Sequence, residues 1–193
     1  MNLGLFGGTF NPPHSGHLIV IESVQDQMHF DRILFIPSSN PPHKSDPLLA
    51  PAAARLEMTR LAIHDNEAFA VSDIECTRQG TSYTVDTVQG LAEKHPGADF
   101  SFIIGADNFM ELETWRSPED IFAKAGLIVM TRPGYTSGAP NNRYTKLARF
   151  IHVPPVGISS TEIRRRVKHG RSIRYLVPLA VEEYITRHGL YRG

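Results

Sequence analysis

The sequence predicts an α/β fold, a parallel sheet covered by helices on both faces, and three observations support it. Short apolar runs alternate with helix-like stretches along all 193 residues. The run FSFIIGA at 100–106 is almost continuously apolar, as is typical of a strand buried on both faces. No internal repeat, heptad pattern or low-complexity tract breaks this alternation. We therefore predict the order β-α-β-α-β-α-β-α-β-β-α-α, in which the helical stretches 107–115 and 117–126 together make the fourth α.

Strands are predicted where short apolar runs meet turn residues. The first run, LGLFG, ends in glycine, and the second, RILFIP, is stopped by Pro37. In chain order the predicted strands cover residues 3–7, 32–37, 69–74, 100–106, 127–131 and 150–153. The proline-rich stretch 38–50 is a predicted loop, and the Gly-, Pro- and Asn-rich stretch 132–145 is the segment that we expect to be most mobile.

Helices are predicted from apolar spacing and from residues that favour helix ends. Pro51 and Pro118 suit first helical positions, and Ser117 is a predicted cap of the helix that Pro118 opens. Pro96 and Gly97 end the helix before them. In chain order the predicted helices cover residues 16–28, 51–65, 81–97, 107–115, 117–126, 160–170 and 178–189.

Charge and cysteine content argue against several classes of protein. Lys plus Arg and Asp plus Glu number 20 each, so the formal net charge is +0, whereas proteins that wrap long nucleic acid usually carry a basic excess. The apolar stretch 3–6 is too short for a signal peptide or a membrane span. The one cysteine, Cys76, cannot form an internal disulfide, which suits a reducing compartment. We expect a cytoplasmic protein with no nucleic-acid or membrane partner, and the sequence leaves its oligomeric state open.

The stretch GGTFNPPHSGH, residues 7–17, is the first candidate site. Ligands of parallel sheets bind at the carboxyl ends of the strands, and this stretch follows the first strand. Gly7 and Gly8 let a phosphate approach the backbone, and Thr9 adds a hydroxyl. His14 and His17 lie three residues apart, so both imidazoles can face one spot near a helix N-terminus.

Two imidazoles that are able to carry positive charge near neutral pH can stabilise charge developing on a phosphoryl group. One alternative is a zinc site, for which two histidines are too few ligands. The other is a structural pair with no chemical role. Their position among glycines at a strand-to-helix junction favours phosphate chemistry.

The stretch ISSTEIRRRV, residues 158–167, is the second candidate site. Ser159, Ser160 and Thr161 lie at a predicted helix start, where Ser160 or Thr161 can cap the helix and free amides can bind phosphate. The guanidinium of Arg164 suits phosphate oxygens. The alternative is an amphipathic surface helix, and we apply that interpretation to the remaining basic residues, Arg165, Arg166, Lys168 and Arg171.

With both stretches in view, GGTFNPPHSGHL resembles the opening signature of the HxGH nucleotidyltransferases, and ISSTEIR is similar to their second motif. The resemblance implies a Rossmann-like nucleotidyltransferase fold in one domain, 1–193, with a small C-terminal helical portion from about 158. It implies that the histidines bind a nucleoside triphosphate and that the second motif contacts the β- and γ-phosphates of ATP. A class I aminoacyl-tRNA synthetase would instead carry a KMSKS-like stretch and a tRNA-reading domain, which this sequence does not display.

Three further stretches, PPHK (41–44), TSYTVDT (81–87) and GADNFMELETW (105–115), make the chain similar to the nicotinate mononucleotide adenylyltransferases from Gly4 to about Arg166. That family's known sites, carried onto matching positions, imply the following sets. The implied catalytic residues are His14, His17, Lys44 and Arg164. The implied ATP-binding residues are Gly7, Gly8, Thr9, Phe10, Gly105, Asp107, Ser159, Ser160 and Thr161. The implied residues for nicotinate mononucleotide are Asn40, Thr84, Trp115 and Arg116.

The resemblance also implies roles within these sets. Asp107 would accept hydrogen bonds from ribose hydroxyls, although it could equally cap a helix. Trp115 would stack on the nicotinate ring, although it could be an ordinary half-buried anchor. Thr84 and nearby backbone amides would hold the nicotinate carboxylate. Arg116 stands where an aromatic is more usual, and its guanidinium could pair with that carboxylate or point to solvent. Asn11 stands where the signature often has aspartate.

The family implies a direct reaction between ATP and nicotinate mononucleotide. The acceptor's 5′-phosphate attacks the α-phosphorus of ATP and expels pyrophosphate, with no general base or covalent intermediate. Mg²⁺ bound to the ATP phosphates is the expected cofactor, with no dedicated metal-binding residues. The alternatives are a related adenylyltransferase that uses nicotinamide mononucleotide or pantetheine phosphate, and a non-catalytic nucleotide sensor.

Overall fold

Six parallel strands form one sheet in the computed structural model, which describes residues 1–39, 47–78, 80–131 and 143–192. The strands are β1 Asn2–Gly8, β2 Arg32–Pro37, β3 Phe69–Val71, β4 Asp99–Gly105, β5 Ala125–Thr131 and β6 Ala148–His152. The helices are α1 Ser15–Met28, α2 Ala52–Ile63, α3 Thr84–Lys94, α4 Ala106–Met110, α5 Pro118–Phe122, α6 Ser160–Lys168 and α7 Leu179–Arg187. Short 3₁₀ turns cover Leu112–Thr114 and Thr145–Leu147.

The strand order is β3-β2-β1-β4-β5-β6, and every neighbouring pair is parallel. Strand β1 lies between β2 and β4, with Leu5 opposite Leu34 on one side and Phe102 on the other. The chain builds outward from β1 to β3, then returns to the other side of β1 to continue with β4. The order therefore reverses between β1 and β4, and their carboxyl ends frame the crevice in which such sheets bind ligands.

Alternation along the strands buries two separate cores, one on each face of the sheet. Ile33 and Phe35 face one core, which helices α1, α2, α6 and α7 complete. Leu34 and Ile36 face the other core, which helices α3, α4 and α5 complete. The predicted parallel sheet with helices on both faces is therefore confirmed, whereas the assignment of 1–193 to a single domain stays a prediction.

Several predicted boundaries differ from the observed ones. Strand β3 ends at Val71 because the chain turns at Asp73, whose carbonyl accepts from the amide of Thr77 at 3.0 Å. The helix predicted over 107–115 is split into α4 and a separate 3₁₀ turn. Ser117 is the N-cap residue of α5, as predicted, but it has φ 47° and makes no side-chain cap bond. Most of the predicted mobile stretch lies outside the described residues.

Candidate active site

The two histidines meet at the start of α1, where the loop from β1 enters the helix. His14 is the N-cap residue, and its backbone amide donates to Nδ1 of His17 at 3.2 Å. The two imidazole rings stack with their centroids 3.6 Å apart and their planes 21° apart. Because Nδ1 of His17 accepts this bond, the neutral ring carries its proton on Nε2.

Burial keeps the histidine pair neutral in the ligand-free protein. His14 is 6% exposed, and burial lowers its pKa to about 4. Burial, followed by the charge of His14, lowers the pKa of His17 to about 3. The edge of the Phe10 ring lies against His17, with centroids 5.2 Å apart. The expected positive charge near neutral pH is therefore absent without a ligand, because removal of water penalises the charged form.

The start of α6 is bound directly to the loop between β1 and α1. The Ser160 hydroxyl donates to the Pro12 carbonyl at 2.8 Å, and Nη1 of Arg164 donates to the Asn11 carbonyl at 2.9 Å. The N-cap is Ser159, whose hydroxyl accepts from the amide of Glu162 at 3.2 Å. The prediction that Ser160 or Thr161 caps this helix is wrong, because Ser159 is the cap and the Ser160 hydroxyl donates to the Pro12 carbonyl instead.

A cavity of about 780 Å³ lies where these two regions meet. Its walls contain most of the predicted phosphate-side residues. The predicted residues that line it are Thr9, Phe10, His14, His17, Asp107, Ser159, Ser160, Thr161 and Arg164. Early and late motifs, which lie about 150 residues apart in sequence, therefore share one polar pocket at the crevice between β1 and β4.

The predicted glycines are not part of this wall, since Gly7, Gly8 and Gly105 do not line the cavity. A Cβ on Gly8 would lie 2.9 Å from Cζ of Phe10, so the need for glycine there comes from the packing of that ring. Phe10 itself has a left-handed backbone, with φ 47°. The assignment of Gly7, Gly8 and Gly105 to ATP binding stays a prediction.

Gly16 is a cavity residue that the sequence reasoning did not select, although it is the glycine of the HxGH spacing. A Cβ there would lie 3.0 Å from Nδ1 of His14 and 3.1 Å from Cγ1 of Val156. Only glycine therefore leaves the His14 ring in its observed place. The other unpredicted lining residues are Asn11, Val20, Leu49, Val153, Pro154, Val156 and Ile158.

Asp107 is exposed in the first turn of α4 and faces the cavity. The N-cap of α4 is Gly105, so the alternative that Asp107 caps the helix is wrong. No hydrogen bond of its carboxylate is seen within the described part of the chain, and the ribose contact stays a prediction.

Three residues predicted for the acceptor, Thr84, Trp115 and Arg116, do not line this cavity. Thr84 is the first residue of α3, after the N-cap Tyr83. The Arg116 guanidinium lies 4.7 Å from the centroid of the Tyr83 ring and 4.0 Å from the Asp86 carboxylate. Arg116 therefore flanks the start of α3 instead of pointing only to solvent, although its side chain remains 59% exposed.

Trp115 is half-buried, and its ring meets Phe102 edge-on with centroids 5.8 Å apart. This is the packing of a half-buried aromatic anchor, and stacking on a ligand stays a prediction. Asn40 and Lys44 lie outside the described residues.

Asn11 lines the cavity and hydrogen-bonds to three residues that are distant in the chain, a role that its position in the sequence did not reveal. It is 3% exposed, and its amide donates to the Leu48 carbonyl at 3.1 Å. Its Oδ1 accepts from the Ala50 amide at 3.0 Å and from the Tyr191 hydroxyl at 2.8 Å. An aspartate could not donate to Leu48, which explains why asparagine suits this position here.

No group of three or more His, Cys, Asp or Glu residues within the described ranges is arranged to hold a metal ion. Within those same ranges, none of the helices combines the length and apolar character needed to span a bilayer.

Comparisons with known proteins identify the family. Residues 5–166 match the cytidylyltransferase-like family. A "probable nicotinate-nucleotide adenylyltransferase" from Thermus thermophilus is 47% identical over 192 residues and covers 100% of both chains. One from Salinibacter ruber is 44% identical over 192 residues, covering 100% of this chain and 98% of its own. The chain belongs to the nicotinate-nucleotide adenylyltransferase family.

The nicotinate-nucleotide adenylyltransferase fold is also found among solved structures. Nicotinic acid mononucleotide adenylyltransferase from Plasmodium falciparum, complexed with NaAD, superposes with a TM-score of 0.79 at 20% identity, over 98% of this chain and 97% of that one. Its complex with APC superposes with a TM-score of 0.77 at 19% identity, over 98% and 96%. Membership in the nicotinate-nucleotide adenylyltransferases confirms the predicted nucleotidyltransferase class and nucleotide substrates.

Proposed function

We propose that this enzyme transfers AMP from ATP to nicotinate mononucleotide, giving deamido-NAD and pyrophosphate in NAD biosynthesis. The observation that carries the proposal is the cavity shared by His14, His17 and the start of α6. Family membership favours this acceptor over nicotinamide mononucleotide and pantetheine phosphate. A cytoplasmic location agrees with a chain that has one cysteine, and it remains a proposal.

The cavity offers hydrogen-bond donors suited to a triphosphate. The neutral His17 ring presents its Nε2 proton, since Nδ1 is engaged by the His14 amide. The start of α6, with its first backbone amides, and Arg164 line the same cavity. An anion between them is favoured by the helix N-terminus and by the planar donor array of Arg164.

The chemistry needs positioning more than acid–base catalysis. The acceptor phosphate is already ionised at neutral pH, so its oxygen can attack the α-phosphorus without a general base. The new P–O bond forms as the bond to the β-phosphate oxygen breaks, and the electron pair leaves with pyrophosphate. Donors preorganised around His14, His17 and Arg164 stabilise the charge that develops in this step.

Mg²⁺ fits this site as a companion of ATP. The cavity supplies oxygen donors from Thr9, Ser160 and Asp107, which are the donor type that Mg²⁺ prefers. The absence of an acidic cluster in the described residues fits an ion held mainly by phosphates and water. When bound, the ion would neutralise phosphate charge.

For the acceptor, we propose the surface formed by Thr84, Trp115 and Arg116, together with Asn40, and with Lys44 near the phosphates. Support comes from the contact between Arg116 and Tyr83, the N-cap of α3, which places a guanidinium at the start of that helix. A cation and a helix N-terminus together favour the anionic nicotinate over neutral nicotinamide.

The test combines purified protein with ATP, Mg²⁺ and either nicotinate mononucleotide, nicotinamide mononucleotide or pantetheine phosphate, and follows pyrophosphate release. We expect release with nicotinate mononucleotide at the highest kcat/KM. A higher value with either other acceptor would reject the proposed substrate. No release with any of the three, despite ATP binding, would favour the nucleotide sensor.

A further inference from the structure

Arg55 is a buried cation that the proposed mechanism does not use. It lies on α2, is 1% exposed and does not line the cavity. Within the described residues, its side-chain hydrogen bonds all go to main-chain carbonyls. They run from Nη1 to Thr9 at 2.7 Å and Ser38 at 2.6 Å, from Nη2 to Ser39 at 2.9 Å, and from Nε to Ala50 at 3.0 Å.

These carbonyls belong to two loops that leave the sheet side by side. Gly8 at the end of β1 is paired with Pro37 at the end of β2, and the Ser38 amide donates to the Gly8 carbonyl at 2.9 Å. Beyond that bond the regular pairing stops. The Arg55 guanidinium then joins Thr9 of the first loop to Ser38 and Ser39 of the second.

The two joined loops serve different parts of the proposed site. Thr9 lines the cavity assigned to ATP. Ser39 precedes Asn40, and its amide donates to the Ser82 hydroxyl at 3.3 Å. Ser82 lies two residues before Thr84, where α3 begins on the proposed acceptor side.

A second buried side chain, that of Glu75, fixes the start of α3. Glu75 is 8% exposed and accepts from the Thr87 hydroxyl at 2.7 Å on the first turns of α3. The Arg78 guanidinium donates to the same hydroxyl at 3.2 Å. Glu75 and Arg78 therefore hold the first turns of α3 through Thr87. Ser82, just before α3, is hydrogen-bonded to Ser39 in the loop that Arg55 binds.

We propose that Arg55 is a positioning residue that sets the distance between the bound ATP and the bound acceptor. This inference rests on the proposed function. Arginine is suited to the task because its planar fork reaches several acceptors at once, whereas lysine has a single nitrogen. A displacement of about 1 Å between reacting groups can cost about 100-fold in rate.

The test compares Arg55→Lys, which keeps the charge, with Arg55→Met, which keeps the stem but has no donor. The matched controls are Arg60→Lys and Arg60→Met, on the same helix, where the exposed Arg60 pairs with Glu57 at 3.4 Å. Each variant is assayed for kcat per folded enzyme, for the ATP dissociation constant by calorimetry, and for thermal stability.

We expect Arg55→Lys to bind ATP as the wild type does while its kcat falls by about 100-fold, and Arg55→Met to lose at least as much. Both Arg60 variants keep wild-type kcat. A wild-type kcat per folded Arg55→Lys enzyme would overturn the proposal, and so would losses of ATP affinity that account for the whole effect. Failure of both Arg55 variants to fold would make the residue a stabilising one and overturn it as well.

Failure of this inference is distinguishable from failure of the proposed function. The wild-type enzyme is first assayed with all three acceptors, which tests the function alone. If the wild type prefers another acceptor, the Arg55 comparison is repeated with that acceptor, and a selective loss of kcat would still support positioning.

Discussion

The backbone amide of His14 donates to Nδ1 of His17 at 3.2 Å, while the two rings stack 3.6 Å apart. The first residue of the motif thus selects the tautomer of the second. Protonation of Nδ1 would replace this bond with two opposed N–H groups, which agrees with the low pKa of His17. The pair is therefore a set of neutral hydrogen-bond donors at neutral pH.

Replacement of His17 by alanine tests the donor role. We expect kcat to fall by about 100-fold or more, as when other preorganised donors to a transition state are removed. His29→Ala is the matched control, because His29 ends the same helix and is exposed. Steady-state pyrophosphate release measures both variants, and near-wild-type turnover of His17→Ala would reject the assignment.

The buried histidines predict an acid-sensitive fold. In the folded protein the pKa of His14 is about 4 and that of His17 about 3, below the unfolded value of 6.5. At pH values between the folded and unfolded pKa values, the unfolded chain therefore binds more protons than the folded protein. The stability that this pair contributes is therefore fully present above about pH 6.5 and is lost as the pH falls towards 4. Urea denaturation at pH 7 and pH 5 measures this loss, and the double variant His14→Gln/His17→Gln should show a weaker pH dependence. An unchanged slope would mean that the pair is not the cause.

The two serines at the start of α6 predict different defects. Ser159→Ala removes the cap and should lower the free energy of unfolding by about 1 kcal/mol. Ser160→Ala removes the bond to the Pro12 carbonyl and should raise KM for ATP, because the α6 wall of the cavity is no longer held against the loop. Denaturation and kinetics on both variants separate these effects, and a reversed pattern would contradict the assignment of Ser159 as cap.

The bond from Tyr191 to Asn11 predicts that the chain's final residues support the site. Tyr191→Phe keeps the buried ring but removes the donor to Oδ1, and it should lower the free energy of unfolding by about 1 kcal/mol. Tyr184→Phe on α7 is the control, since no hydrogen bond of that hydroxyl is seen within the described residues. Chemical denaturation measures both, and equal stabilities would show that the bond contributes nothing.

Trp115 predicts a selective defect in acceptor binding. Trp115→Ala should raise KM for nicotinate mononucleotide and leave KM for ATP unchanged, because Trp115 lies outside the cavity assigned to ATP. Trp115→Phe keeps an aromatic face and should be milder. If only the ATP value rose, the acceptor surface would have been assigned to the wrong place.

Local patterns in the sequence determined much of this protein. Apolar runs and their terminating residues located the six strands. Central strands such as β4 are buried on both faces and are therefore almost continuously apolar, whereas the edge strand β6 buries only Ile151. The glycine-rich turn with His14 and His17, and the serine-rich start of α6, were recognisable because phosphate chemistry needs those residue types close together in the chain.

Tertiary structure alone decided what those residues experience. Burial lowered the histidine pKa values. The Ser160 hydroxyl donates to the Pro12 carbonyl, so Ser159 caps α6. Tyr191, distant in sequence, donates to Asn11. Arg55, unremarkable within its helix, became the link between two loops. Solvent exclusion and contacts between distant segments cause all of these effects, and neither is encoded in the spacing of neighbouring residues.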